Sequence, residues 1–216
     1  MDVCRCGVSR KSWEIPFLAE AEEVSGLRNV IRTHLRLWGL SKQVDAAQLC
    51  VSELVANVIT HVGAGTPTTL AVSMSGTHLR IEVHDPDTRA LPTLIQAGPD
   101  AECGRGMGLV DAVADRWGVQ LRADRKVTWC EIATGLTAPD GHSGGPRVTR
   151  AEAMLALYGA ARLPRAATPS LLSVAVAEEA AIDVIADLLH WLQAHGCDPD
   201  EALDRAQTHF EAELYA

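Results

Sequence analysis

No apolar run in this 216-residue chain approaches the roughly 20 residues that a membrane-spanning helix requires. The amino terminus, Met1 to Cys6, also lacks the apolar core of a signal peptide, so a cytoplasmic location with no membrane partner is expected. Positive charge is short as well. The net charge of −9 argues against a nonspecific hold on nucleic acid, which depends on Lys and Arg neutralising phosphates. The acidity is concentrated, since residues 1–137 carry 14 basic and 16 acidic side chains whereas 138–216 carry 5 and 12. Six cysteines stand at 4, 6, 50, 103, 130 and 197 with no Cys-x-x-Cys spacing, which excludes a redox pair or structural zinc site of that kind. Free thiols are expected, with Cys50 and Cys130 in the core. Cys103, beside a glycine cluster, is a candidate for oxidation. The three tail histidines, His190, His195 and His209, lack the partners of a metal site and are read as surface or interface residues.

What the chain does contain is a polar trio at helical spacing. Glu53, Asn57 and His61 stand four apart in the run from Glu53 to His61, and about 100° per residue puts them on one narrow arc. Leu54, Val55, Val58, Ile59 and Val62 fill the adjoining arc, so one face packs while the other presents a carboxylate, an amide and an imidazole. An amide oxygen suits Mg²⁺, an ion that keeps several waters and bridges phosphates. A carboxylate one turn earlier is placed to orient or deprotonate a hydroxyl attacking a terminal phosphate. His61 can hydrogen-bond a phosphate or help close the site. The same spacing also describes a solvated stripe on an ordinary amphipathic helix.

Two downstream segments bear on that choice. Leu79 to Asp85 alternates apolar and polar residues and stops at Asp85-Pro86-Asp87, which places Asp85 at a strand end. There it can accept a hydrogen bond from an exocyclic amine, or simply form a turn. Gly104-Arg105-Gly106-Met107-Gly108 then leads toward a short helix expected from Asp111. Glycines ahead of a helix let backbone N–H groups approach phosphate, and equally make a plain turn. The cluster has neither the Gly-Lys-Ser/Thr ending of a Walker A loop nor the third-glycine position of the dinucleotide fingerprint.

Taken in order, these segments resemble the ATP-binding fold shared by histidine kinases, gyrase B subunits and anti-sigma-factor serine kinases. Glu53, Asn57 and His61 look like its N box, Asp85 like its adenine-reading aspartate, and Gly104 to Gly108 like its second glycine box. Trp117-Gly118-Val119 with Thr128-Trp129-Cys130-Glu131 resembles the closing hairpin of the small anti-sigma regulators of actinomycetes. The resemblance covers about residues 10–136. It implies ATP and Mg²⁺ as cofactors and a serine/threonine-protein kinase that holds a sigma factor or phosphorylates an anti-anti-sigma factor, acting in transcription regulation through protein partners. Within it, Glu53 would activate the partner's serine, Asn57 would hold Mg²⁺ and Asp85 the adenine. His61, Gly104, Gly106, Met107 and Gly108 would line the phosphates, and Arg105 would reach the terminal one. The chain departs from the kinase pattern after the aspartate, where Pro86-Asp87-Thr88-Arg89 replaces the usual glycines and the lid from Arg89 to Cys103 is short. A noncatalytic interaction module that keeps the fold is the alternative.

The expected architecture is α+β: a two-layer sandwich whose mixed, mainly antiparallel sheet is covered on one face by helices, followed by a small all-α region. Trp13, Ile15 and Phe17 alternate in a first strand that the family would place at a sheet edge or in a homodimer interface. Helices are expected from about Ala19 to Trp38 and from Ser41, and hairpins around Ser75-Gly76-Thr77 and Asp124-Arg125. A breaker-rich stretch from Pro139 to Pro146 marks a linker, taken as residues 137–148 between domains 10–136 and 149–216. Beyond it, Thr149 to Glu152 reads as a capping box, a long helix runs from about Ser170 to His195, and Asp198 caps a third helix.

Overall fold

The computed structural model describes residues 8–88, 105–142, 146–159 and 171–214. It divides into one compact unit spanning Val8–Ser143 and a second that contains everything from Gly144 onward.

In the first unit, alternation dictates a five-stranded sheet. Strands β1 (Trp13–Leu18), β2 (Pro67–Ser75), β3 (His78–Asp85), β4 (Arg116–Leu121) and β5 (Lys126–Ala133) lie in the order β1-β2-β3-β5-β4, and all four pairings are antiparallel. Edge strand β1 tolerates Pro16, which needs no ladder donor on its free side. Gly76, at φ +59°, makes the tight β2–β3 turn that a side chain would strain. Leu70, Val72, Leu79, Ile81, Val83 and Cys130 share one sheet face and are buried.

Two long helices supply the other half of that core. Helix α1 (Ala21–Leu37) buries Leu27, Ile31 and Leu35, and helix α2 (Val44–His61) buries a wider stripe from Val44 through Val51, Leu54 and Val55 to Val58. Between them Gly39, at φ +68°, closes α1, with Leu40 N–H bonding Leu35 C=O across the cap. Buried Gln48 donates to the Arg28 carbonyl at 2.9 Å, and Gln43 donates to the Ala133 and Thr134 carbonyls at 3.3 Å, which fixes α2 against α1 and the end of β5. These polar ties hold in place the helix that carries the trio. The expected core thiols Cys50 and Cys130 are both fully buried.

The opposite sheet face carries an ionic network. Arg80 bonds Glu82 at 2.6 Å and Glu131 at 2.9 Å and lies 4.2 Å over the Trp129 ring, while His84 meets Glu82 and Arg116 meets Glu131. Burial alone would push the pKa of Glu82 and Glu131 up, but hydrogen bonds from His84 and Arg80 to the former, and from Arg80 and Ser75 to the latter, hold both below the usual glutamate value. A carboxylate with a lowered folded value contributes stability that is fully present above its unfolded value and lost as pH falls through the folded one. Arg80→Met is therefore expected to cost about 2–3 kcal/mol at neutral pH. It should also flatten the loss of unfolding midpoint between neutral and strongly acidic pH, which a urea series at several pH values measures.

The second unit is helical: α4 (Pro146–Gly159), α5 (Leu171–Ala194) and α6 (Pro199–Leu214), numbered after a short helix α3 (Arg105–Val113) of the first unit. Helix α4 begins at Pro146 rather than at the Thr149 capping box, because proline is tolerated in a helix's first turn, where its missing N–H is not needed. Gly196, at φ +76°, ends the α5 segment, and Asp198 caps α6 by accepting from the Asp200 and Glu201 amides at 2.9 and 3.3 Å. His190, His195 and His209 are exposed. Among the described residues no helix is long and apolar enough to cross a membrane.

Candidate functional site

Helix α2 packs on β3, on β5 and on α3, and so brings together the segments singled out in the sequence. Glu53 and Asn57 are half-buried on its polar arc, about 6 Å apart along the axis. His61 lies about 6 Å further on at the helix end and is exposed.

Glu53 lies against a glycine. A Cβ built on Gly106 would stand 2.5 Å from Glu53 Oε2, so only glycine lets the first turn of α3 approach the carboxylate this closely. The first four N–H groups of a helix have no intrahelical partner, and the dipole makes that end attractive to anions. Glu53 therefore stands beside a helix end whose free amides could receive an anion such as phosphate. The glycine cluster predicts a loop over Arg105 to Gly108 ahead of a helix from Asp111, whereas these residues form the first turn of α3 itself. Met107 and Val110, three apart, are buried and draw the helical period back into the glycine cluster. The Met107 side chain thus belongs to the core and offers a phosphate only its backbone, while Gly108 is exposed. Gly104, Cys103 and the lid from Arg89 lie outside the described residues, as does the Arg105 side chain.

Asp85 ends β3, as its alternation predicts, but its surroundings are not those of a plain turn residue. It is 1% exposed on the helix-covered face of the sheet. Its Oδ1 accepts from the Asp87 amide at 2.9 Å, the tight turn that Pro86 promotes. Its Oδ2 pairs ionically with the Lys126 ammonium at 3.4 Å and is otherwise without a hydrogen-bond donor among the described residues. Burial pushes the Asp85 carboxyl up, opposed by the Asp87 amide and by Lys126. Thr128, two residues along β5 from Lys126 and opposite Val83, likewise buries an unpartnered hydroxyl. Buried polar atoms are nearly always hydrogen-bonded, so these two acceptors on neighbouring positions of one face could receive a polar ligand.

Lys126 and Thr128 were absent from the sequence-based site. The signal available was a lysine and a threonine among the apolar positions of β5. What made them visible is the register that sets Lys126 opposite Asp85.

This donor set fits a purine nucleotide carried with a divalent cation. Asp85 Oδ2 and Thr128 Oγ1 are open for a base, the α3 terminus for phosphate, and the Asn57 amide for one ligand position on a hard cation. Among the described residues no cluster of three His, Cys, Asp or Glu side chains could hold a metal unaided.

The sequence profile of the histidine kinase-like ATPase domain matches residues 17–131. An uncharacterized protein of Streptomyces coelicolor is 49% identical over 86 residues, covering 38% of this chain and 81% of that protein. The crystal structure of the RsbU and RsbW domains of a Mycobacterium tuberculosis protein aligns at 15% identity and a TM-score of 0.43 over 57% of this chain, which spans 32% of that longer chain.

Proposed function

The chain belongs to the histidine kinase-like ATPase family, and from that premise we propose that its first unit binds ATP with Mg²⁺ and transfers the terminal phosphoryl group to a serine or threonine of a partner regulator. The observation that carries the reading is the close approach of the Glu53 carboxylate to Gly106 at the N-terminus of α3. A carboxylate beside a helix end that favours phosphate is positioned to take the proton of an attacking hydroxyl. Asp85 receives the adenine amine, Thr128 a second polar edge of the base, and the α3 amides receive phosphate oxygens. Asn57 supplies a neutral ligand to the cation, which when bound neutralises charge developing on the phosphates. The partner is a sigma factor or an anti-anti-sigma factor in transcriptional control.

The test is incubation of the full chain with γ-labelled ATP, Mg²⁺ and a candidate serine-bearing partner. Label on the partner, absent with Glu53→Ala, is the expected result. Tight ATP binding with no transfer to any partner would sink the kinase reading and leave a binding module.

A second reading has its own observation. Among the residues of the helical unit whose side chains are described none is buried, and Ile182, Ile185, Leu188, Trp191 and Phe210 are each about half exposed or more. Apolar residues spread over an uncovered helix are normally buried against something. On this reading the unit recruits a partner or forms a homodimer. Sedimentation of the full chain across concentrations separates the two, since only self-association makes the mass concentration-dependent.

A further inference from the structure

We propose that Lys126 sets which purine the pocket accepts: by keeping Asp85 a carboxylate it preserves a hydrogen-bond acceptor toward the base, so that a 6-amino purine nucleotide is taken and a 6-keto one refused. The inference rests on the nucleotide-binding reading above and assigns to Lys126 a positioning role within it.

The geometry leaves Asp85 one free function. Asp85 and Lys126 are direct partners across β3 and β5, and both side chains lie on the helix-covered face, with 1% and 2% of their surface exposed. Oδ1 accepts from the Asp87 amide, which leaves Oδ2 as the oxygen without a backbone donor. Lys126 Nζ lies 3.4 Å from Oδ2, close enough for Coulombic attraction, and a carboxylate oxygen with two lone pairs keeps room for a second donor from a ligand. The ammonium therefore stabilises the charge and leaves the acceptor available.

Burial pushes the Asp85 carboxyl up even with Lys126 in place, and without Lys126 only the Asp87 amide would oppose it, so the balance moves further toward the neutral form. The other charge near it, Asp87, is negative and also favours the proton. A neutral carboxyl carries an O–H on the oxygen facing the ligand. Such a donor opposes the amine of a 6-amino purine, which is itself a donor, and matches the carbonyl of a 6-keto purine. One buried charge reversing donor and acceptor would thus reverse base preference while phosphate and cation contacts stay as they are.

The test is calorimetric titration of the full chain with ATP and with inosine triphosphate, both with Mg²⁺, for wild type, Lys126→Met and Lys126→Arg. Wild type is expected to prefer ATP by about 10- to 100-fold, the worth of one hydrogen bond to a charged group. Lys126→Met should bring the two affinities within about threefold or invert them, and Lys126→Arg should keep the preference. Should Lys126→Met fail to fold, Lys126→Gln removes the same charge with a polar side chain and carries the same expectation. An unchanged ATP preference in the neutral variant overturns the role of Lys126 while nucleotide binding stands. Equal affinities in wild type overturn it as well. No binding of either nucleotide by wild type overturns the nucleotide reading, and this inference with it.

Discussion

Glu53→Gln is expected to lower phosphoryl transfer by about 10²- to 10⁴-fold, the usual worth of a positioned general base, while ATP affinity stays within a few-fold of wild type. The amide keeps the shape and the contact with Gly106 but cannot accept a proton from the attacking hydroxyl. Gly106→Ala reaches the same residue from the other side. Its new methyl would stand 2.5 Å from Glu53 Oε2, and the least costly response is for the carboxylate, the mobile end of a flexible side chain, to move away. Transfer should fall with Glu53 still present and still ionisable, whereas the unfolding midpoint in urea should change little. If Gly106→Ala transfers phosphate at the wild-type rate, the position of Glu53 is not what the reaction depends on.

The second large effect falls on stability. Asp85→Ala leaves the Lys126 ammonium, 2% exposed, without its counter-charge, and removing one partner of a buried pair costs about 3–5 kcal/mol. The double variant Asp85→Ala, Lys126→Met removes both charges. It should recover most of that loss, because a buried pair replaced by apolar groups is often nearly neutral. Equilibrium urea unfolding of the three chains decides this. A single variant as stable as wild type would mean that Lys126 finds another solution for its charge. Nucleotide binding, by contrast, should be lost in both variants, which separates the two roles of Asp85.

These two predictions rest on features of unequal legibility. The helix bearing Glu53 and Asn57 could be read directly, since a period of 3.6 places both on the arc opposite Leu54, Val55 and Val58, and those three are buried. Asp85 at a strand end followed from alternation and Pro86. The first turn of α3 did not follow, because glycines locally signal a turn and only packing of Met107 and Val110 into the core overrides that signal. Lys126 and Thr128 were invisible for a different reason. Their importance lies in which residue of β3 each opposes, and strand register is a property of the sheet rather than of either strand alone. The Gln48 and Gln43 ties that fix α2 are likewise long-range, joining residues 20 and 90 or more positions apart.

His61 lies with Glu53 and Asn57 on one arc in the sequence, yet the structure leaves it exposed at the end of α2. Spacing placed it correctly on the helix but could not say where the helix leaves the body of the unit. Glu53, Asn57 and Asp85, by contrast, stand on elements that pack together.

The measurement closest to the central claim is a calorimetric titration of the full chain with ATP, in Mg²⁺ and in a chelator, for wild type and Asn57→Ala. Wild type should bind ATP in Mg²⁺ and lose at least about tenfold in affinity in chelator, the worth of one charge-assisted contact, while Asn57→Ala should bind weakly and equally in both. Wild-type affinity in Asn57→Ala, with the same dependence on Mg²⁺, would contradict the assignment of this helix as the Mg²⁺-nucleotide site.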